Sequence, residues 1–219
     1  METMSENTAR AEQAGTTREL ILATAERLFA EHGVYAVSNR QIAEAAGQGN
    51  TAVVGYHVGT KTDLVRAIAR QHTHRIERLR VRMVAEASGS PEVRDWVTCL
   101  VYPTTEHLAE LGNPTWFARF NAQVMTDPAL REIMLRESLA SPSMIKTVEG
   151  LNGCLPALPA EVRLERGDMA RQLIVHMVAE RERALAEDSA TPRATWQAAA
   201  SGLIDAITGL WLAPVTPES

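Results

Sequence analysis

The sequence predicts an all-α protein in which three short amino-terminal helices are joined by a long fourth helix to a larger helical bundle. Three observations carry this. Apolar residues recur at a spacing of three to four through most of the chain, and no run alternates as a half-buried strand would. Between Thr16 and Asp63 a Ser or Thr is repeatedly followed three positions on by Glu, Gln or Asp, and Gly33, Gly47 and Gly59 supply the stops. Beyond Thr60 one amphipathic pattern then runs on for about 40 Å at ~1.5 Å per residue, enough to connect two domains.

Composition bounds the class. The chain has 219 residues, 45% of them hydrophobic and 22% charged, which suits a globular core and excludes a disordered or low-complexity protein. Its 22 Lys and Arg against 27 Asp and Glu give a net charge of −5, so it is not polybasic as a whole. Cys99 and Cys154 stand far apart with no CxxC, which supports neither a disulfide framework nor a zinc cluster. No stretch approaches the ~20 apolar residues of a membrane span, and the start METMSENTAR has no apolar leader core. The expectation is a cytoplasmic protein with no membrane partner and no cofactor.

Residues 1–15 read as a disordered tail, being small, polar and mixed in charge. A capping box at Thr16 to Glu19 and the stripe Leu20, Ile21, Ala25, Leu28 and Phe29 predict a first helix over about 17–32, stopped by Gly33. Ser38 to Gln41 is a second capping box, opening a two-turn helix that Gly47 closes. The turn from Gly47 to Asn50 leads into a third short helix, Thr51 to about His57, and Thr60 to Asp63 caps the fourth, which runs to about Ala87. Further helices are predicted at about 92–111, 115–126, 129–149, 166–187 and 192–212, with Pro103 expected to kink the first of these or end it early. The domain reading is a three-helix unit over 16–62 and a helical domain over 63–219, with 63–87 as the linking helix.

Two short helices around a glycine-containing turn, braced by a preceding helix, outline a helix-turn-helix reader of DNA. Charge strengthens the outline. From Tyr35 to Arg82 there are eight basic residues (Arg40, Lys61, Arg66, Arg70, Arg75, Arg78, Arg80, Arg82) against the three acids Glu44, Asp63 and Glu77. That stretch therefore carries +5 in a chain of −5, an asymmetry expected where one part meets phosphate.

The runs Thr17 to Ala23, Leu28 to Gly33, Ser38 to Gly47 and Tyr56 to Leu64 resemble the amino-terminal domain of TetR-type transcriptional regulators. The resemblance covers about residues 17–70. It implies a homodimer that docks on a palindromic double-stranded DNA operator, usually as a repressor released by a small-molecule effector. It places DNA contacts on Arg40, whose planar fork matches a guanine edge, and on Tyr56, His57 and Lys61, which face phosphate. The alternatives are a surface pair of Arg40 with Glu44 and a packing role for His57. Asn39, Gln48, Asn50, Thr51 and Val53 complete the candidate DNA surface. Three departures from the family pattern stand out: a turn one residue longer than common, Gly55 in place of a large side chain, and Val58 in place of an aromatic. The third helix is thereby poor in hydrogen-bonding groups, so DNA shape and thymine methyl contacts carry more of the expected specificity.

In the second domain, Trp96, Cys99, Tyr102, Trp116, Phe117, Phe120, His176 and Met177 are candidate lining for a largely apolar effector, the alternative being plain core. Leu173, Met177 and Leu185 on one helix, with Trp196, Ala200, Leu203, Ile207 and Leu210 on the next, are candidate dimer-interface residues, the alternative being packing within one chain. No GxSxG, HExxH, GxGxxG or Walker-type loop occurs, so neither catalytic residues nor metal ligands are assigned and the protein is not expected to be an enzyme. His72 and His74 point to different sides of the fourth helix, and His107 reads as part of a polar helix face. The rival reading is a helical ligand-binding or scaffold protein with a degenerate DNA reader, motivated by the apolar third helix.

Overall fold

A computed structural model of the chain describes residues 2–50 and 52–216, which form ten helices and no strand. These are α1 (Glu2–His32), α2 (Asn39–Ala45), α3 (Val53–His57), α4 (Lys61–Glu86), α5 (Val93–Leu111), α6 (Phe117–Thr126), α7 (Pro128–Leu139), α8 (Pro142–Cys154), α9 (Ala160–Ala186) and α10 (Trp196–Leu212). The all-α expectation and the order of the first four helices hold.

The structure departs from the sequence reading in several places: α9 opens at Ala160 and α10 at Trp196 against expected starts near 166 and 192, and three further differences have a local reason. The first helix begins at Glu2 and not near Thr17, so the Thr16 to Glu19 motif lies inside a helix. Ala9, Arg10, Ala11, Glu12 and Gln13 are good helix formers, no proline interrupts them, and extending an existing helix needs no new nucleus. The expected helix over 129–149 is two: α7 ends at Leu139 and α8 opens at Pro142, where Ser141 caps the new start. Proline at N1 and a serine N-cap together restart a helix. The third difference is Pro103, which ends nothing, since α5 continues through it to Leu111.

Two apolar clusters make the core. The first joins α1–α3 to α6: Ile21, Phe29, Val37, Ile42, Val54, Leu64 and Ile68 pack with Phe117, Phe120 and Val124. Phe29 and Phe120 stack with ring centroids 6.4 Å apart. The second lies further along α4 and joins α5, α8, α9 and α10 through Val97, Val101, Leu151, Ala170, Leu203 and Ile207. With about 39 Å of length, α4 runs from one cluster to the other.

Candidate nucleic-acid interface

Local sequence builds the α2–turn–α3 unit. Gln41 N–H donates to the Ser38 hydroxyl at 3.2 Å while Ser38 N–H donates to Gln41 Oε1 at 2.8 Å, so the predicted capping box is formed. At the other end Gly47, with φ +67°, closes α2: its N–H donates to Glu44 O at 3.0 Å and that of Gln48 to Ala43 O at 2.9 Å. This is the two-bond closure that a left-handed glycine permits. Asn50 Oδ1 accepts from Ala52 N–H at 2.9 Å and leads the chain into α3. The second predicted box, Thr60 with Asp63, is formed as well and starts α4. Hydrogen bonds from Thr60 hold the Asp63 carboxyl below its ordinary pKa.

Buried Ile42, Ala43 and Val54 pin this unit to α1, and the polar candidates are placed unequally. The Arg40 side chain is 76% exposed, with Nε donating to Glu44 at 2.7 Å. So exposed a pair contributes little and exchanges readily for another acceptor. Tyr56 is 86% exposed and meets His57 edge-on at 5.1 Å. Lys61 Nζ donates to the Tyr35 carbonyl at 3.2 Å and lies over the Tyr35 ring, so Tyr35, which the sequence reading did not single out, belongs to the same patch. Gln48 is folded onto the Ala46 carbonyl. Two candidates turn inward: Val53 packs on the first cluster, and Asn39 is half-buried with Oδ1 enclosed and unpaired among the described residues. Thr51 lies outside the described residues. The basic count also shrinks on folding, because Arg66 pairs with Asp63, Arg70 with Glu137, and Arg80 is buried.

The effector candidates do not converge. Trp96 and Cys99 are buried in the second cluster with Tyr102 at its edge, whereas Phe117 and Phe120 are buried in the first, with Trp116 against it. His176 and Met177 are on the outside of α9. A Cβ at position 150 would collide with the Trp96 ring, and this close approach explains Gly150 inside α8. Burial pushes the Cys99 thiol up to about 11, so it is inert.

The dimer candidates divide too. Trp196, Ala200, Leu203 and Ile207 are buried in the chain's own core against α5 and α9, and Leu185 packs on the first cluster, so these five are not an open face. Leu173, Met177 and Leu210 remain, and with Met169 and His176 they border a shallow apolar groove along α9 and α10.

Sequence reasoning missed the buried polar joints. Arg80, 3% exposed, donates from Nε to the Cys99 carbonyl at 3.0 Å. Glu77 takes hydrogen bonds from the Ser141 and Ser143 hydroxyls and from Ser143 N–H, tying α4 to the start of α8. Burial pushes its carboxyl up, and these bonds outweigh it, leaving the pKa below its ordinary value. Glu182 of α9 accepts from the N–H groups of Ala118 and Arg119 at the start of α6 and from the Arg119 side chain. Burial dominates there and raises the Glu182 pKa. His107 is wholly buried and not part of a polar face, and it bonds to buried His72. Helical spacing carries no signal for any of these, since each joins residues distant in sequence.

Fold and site together define a class: an all-helical protein with an amino-terminal helix-turn-helix unit presenting Arg40, Tyr56 and Lys61. Residues 21–68 match the family model of bacterial regulatory proteins, tetR family. The whole chain also resembles two solved structures. One is a TetR family transcriptional regulator, PfmR, from Thermus thermophilus, at 15% identity and TM-score 0.53 over 90% of this chain and 96% of that one. The other is a putative TetR-family transcriptional regulator from Rhodococcus sp., at 17% identity and TM-score 0.52 over 89% of this chain and 98% of that one. At such identities the likeness is one of fold. No curated protein matches the sequence. No helix among the described residues is long and apolar enough to cross a membrane.

Proposed function

We propose that the protein is a homodimeric, sequence-specific DNA-binding regulator that represses transcription from a near-palindromic operator and is released by a small, largely apolar effector. The observation that carries this reading is the placement of exposed Arg40 and Tyr56 and half-buried Lys61 on an α2–turn–α3–α4 unit, capped at α2 and α4, whose sequence matches the tetR-family domain. The reader spans 16–62 and the effector and dimerisation domain 63–219. Arg40 reads a guanine, while Tyr56, His57 and Lys61 hold phosphates. Leu173, Met177 and Leu210 meet their copies across a two-fold axis, which sets two readers one helical turn of DNA apart. The effector acts at the edge of the second cluster, where half-buried Met83, Tyr102, Leu155 and Ile174 can rearrange. It releases DNA by binding more tightly to an arrangement in which α4 has tilted. The protein acts as a binder and not as an enzyme, in the cytoplasm.

Selection of bound fragments from random DNA tests the reading. The expected result is a two-fold-symmetric motif. Arg40→Ala then relaxes one guanine position by about ten- to a hundredfold, and Lys61→Ala weakens all sequences alike and lowers the salt slope by about one. No enrichment at any salt concentration overturns it in favour of a helical ligand-binding protein.

A further inference from the structure

Glu26 of α1, His72 of α4 and His107 of α5 form a buried chain of hydrogen bonds at the junction of the reader with the rest of the molecule. His72 Nε2 lies 2.9 Å from Glu26 Oε2, and His72 Nδ1 lies 2.7 Å from His107 Nε2. His72 is 4% exposed and His107 is fully buried. Phe117 of α6 stacks on the His72 ring at 3.8 Å and meets His107 edge-on at 5.8 Å. Four helices thus converge on two imidazoles.

Counting hydrogens shows why one more proton is poorly tolerated. An ionised Glu26 only accepts, so His72 Nε2 carries a hydrogen towards it. A neutral His72 then has a bare Nδ1, which accepts from His107 Nε2–H, and the remaining nitrogen, His107 Nδ1, is bare as well. That atom is buried with no partner among the described residues. An added proton on His72 forces the hydrogen of His107 onto this Nδ1, where it becomes a buried donor facing no acceptor. An added proton on His107 does the same and also places a cation in the apolar junction.

We propose that this chain is an acid-sensitive latch, which holds α1 against α4 and α5 while His107 is neutral and opens as the surroundings acidify. Its regulatory effect rests on the reading of α1–α3 as a DNA reader: with the latch open, only the apolar cluster holds α1 to α4, the angle between them is less firmly set, and the half-site spacing of a dimer is disturbed. Burial, then His72 and Arg75, lower the His107 pKa from 6.5 to about 4. The charged and titratable groups that act on His107 are His72 and Arg75 from α4, and Glu26 from α1 acts on His72; on α5 the nearest along the chain are Glu106, which is bonded to Gln197, and exposed Glu110. From α6 the facing ring, Phe117, is uncharged, and Arg119 beyond it is taken by Glu182 of α9. Glu26 favours a cation, but it touches His72 and not His107.

Where the joint is open His107 regains its ordinary value, so the closed form is fully favoured above pH 6.5 and loses ground as pH falls towards 4. For one group with these two values the closed-to-open ratio falls about 30-fold between pH 7.5 and 5.

Hydrogen exchange of the full chain tests this, with wild type and His107→Gln compared at each pH so that intrinsic rates cancel. The glutamine amide can donate to His72 Nδ1 from near the lost Nε2 and does not titrate. In the wild type, exchange around Glu26 and His72 should rise about 30-fold from pH 7.5 to 5 relative to the variant. Equal pH dependence in both proteins overturns the latch. Should the variant not fold, the imidazole ring protons of the wild type decide by NMR: a His107 midpoint near 6.5 overturns the latch, and a neutral His107 down to pH 5 supports it. DNA affinity measured in parallel should fall at pH 5 in the wild type more than in the variant. Absence of DNA binding by both at pH 7.5 overturns the regulatory consequence together with the reader assignment, while the exchange data still decide the latch.

Discussion

Pro103 has no N–H to give to the carbonyl of Cys99, and Arg80 gives one in its place. In an uninterrupted helix residue 103 would bond to residue 99, so a proline there leaves an acceptor open on a buried face. The guanidinium of Arg80 reaches that acceptor from α4 and has Glu77 4.0 Å away as its counter-charge. The cost of burying a charge is thus met by a need created on another helix. Arg80→Met should destabilise the fold by about 2–3 kcal/mol, since it orphans the carbonyl while keeping most of the stem volume. Adding Pro103→Ala restores the helical bond, so the double variant should recover about 1 kcal/mol or more against the sum of the singles in urea unfolding. Additivity within about 0.5 kcal/mol would break the link between the two residues.

At the level of elements, helix starts were legible wherever a cap was local. The boxes at Ser38 and Thr60 are formed as the sequence predicts, because both partners lie within four residues of each other. Ser38→Ala removes one box and should cost about 1 kcal/mol, read as a lowered thermal midpoint. An unchanged midpoint would mean that packing of Ile42 and Val54 alone holds α2. The Thr16 box failed for an instructive reason: a capping signature starts a helix only if what precedes it is a poor helix, and Ala9 to Ala14 is not. The break between α7 and α8 was open to reading in Ser141-Pro142. What fixes its position is Glu77, which binds both Ser141 and Ser143 from α4.

At the scale of the molecule, α6 joins the reader to the body. Phe120 stacks on Phe29, Phe117 on His72, and Glu182 anchors the start of α6 to α9. A movement of the body that reaches α6 therefore reaches α1. The outer faces of α9 and α10 keep Leu173, Met177 and Leu210 bordering an apolar groove while Trp196, Ala200 and Ile207 turn inward. Met177→Glu should then convert a dimer to a monomer in analytical ultracentrifugation without loss of helicity, because a charge placed in the contact is repeated by its copy across the axis. A variant that sediments as the wild type does would move the interface elsewhere.

The sequence by itself determined the helical class, the caps of α2 and α4, the glycine turn between α2 and α3, and the placing of Arg40, Tyr56 and Lys61 on that unit. These depend on spacings of three and four residues, which the chain encodes locally. Only the tertiary structure decided which amphipathic stripe faces inward, that Trp96 and Phe120 belong to different cores, and that Arg80, His72 and His107 are buried. Apolar periodicity states that a face is covered and not by what, and a buried charge is affordable only beside a partner supplied from another helix.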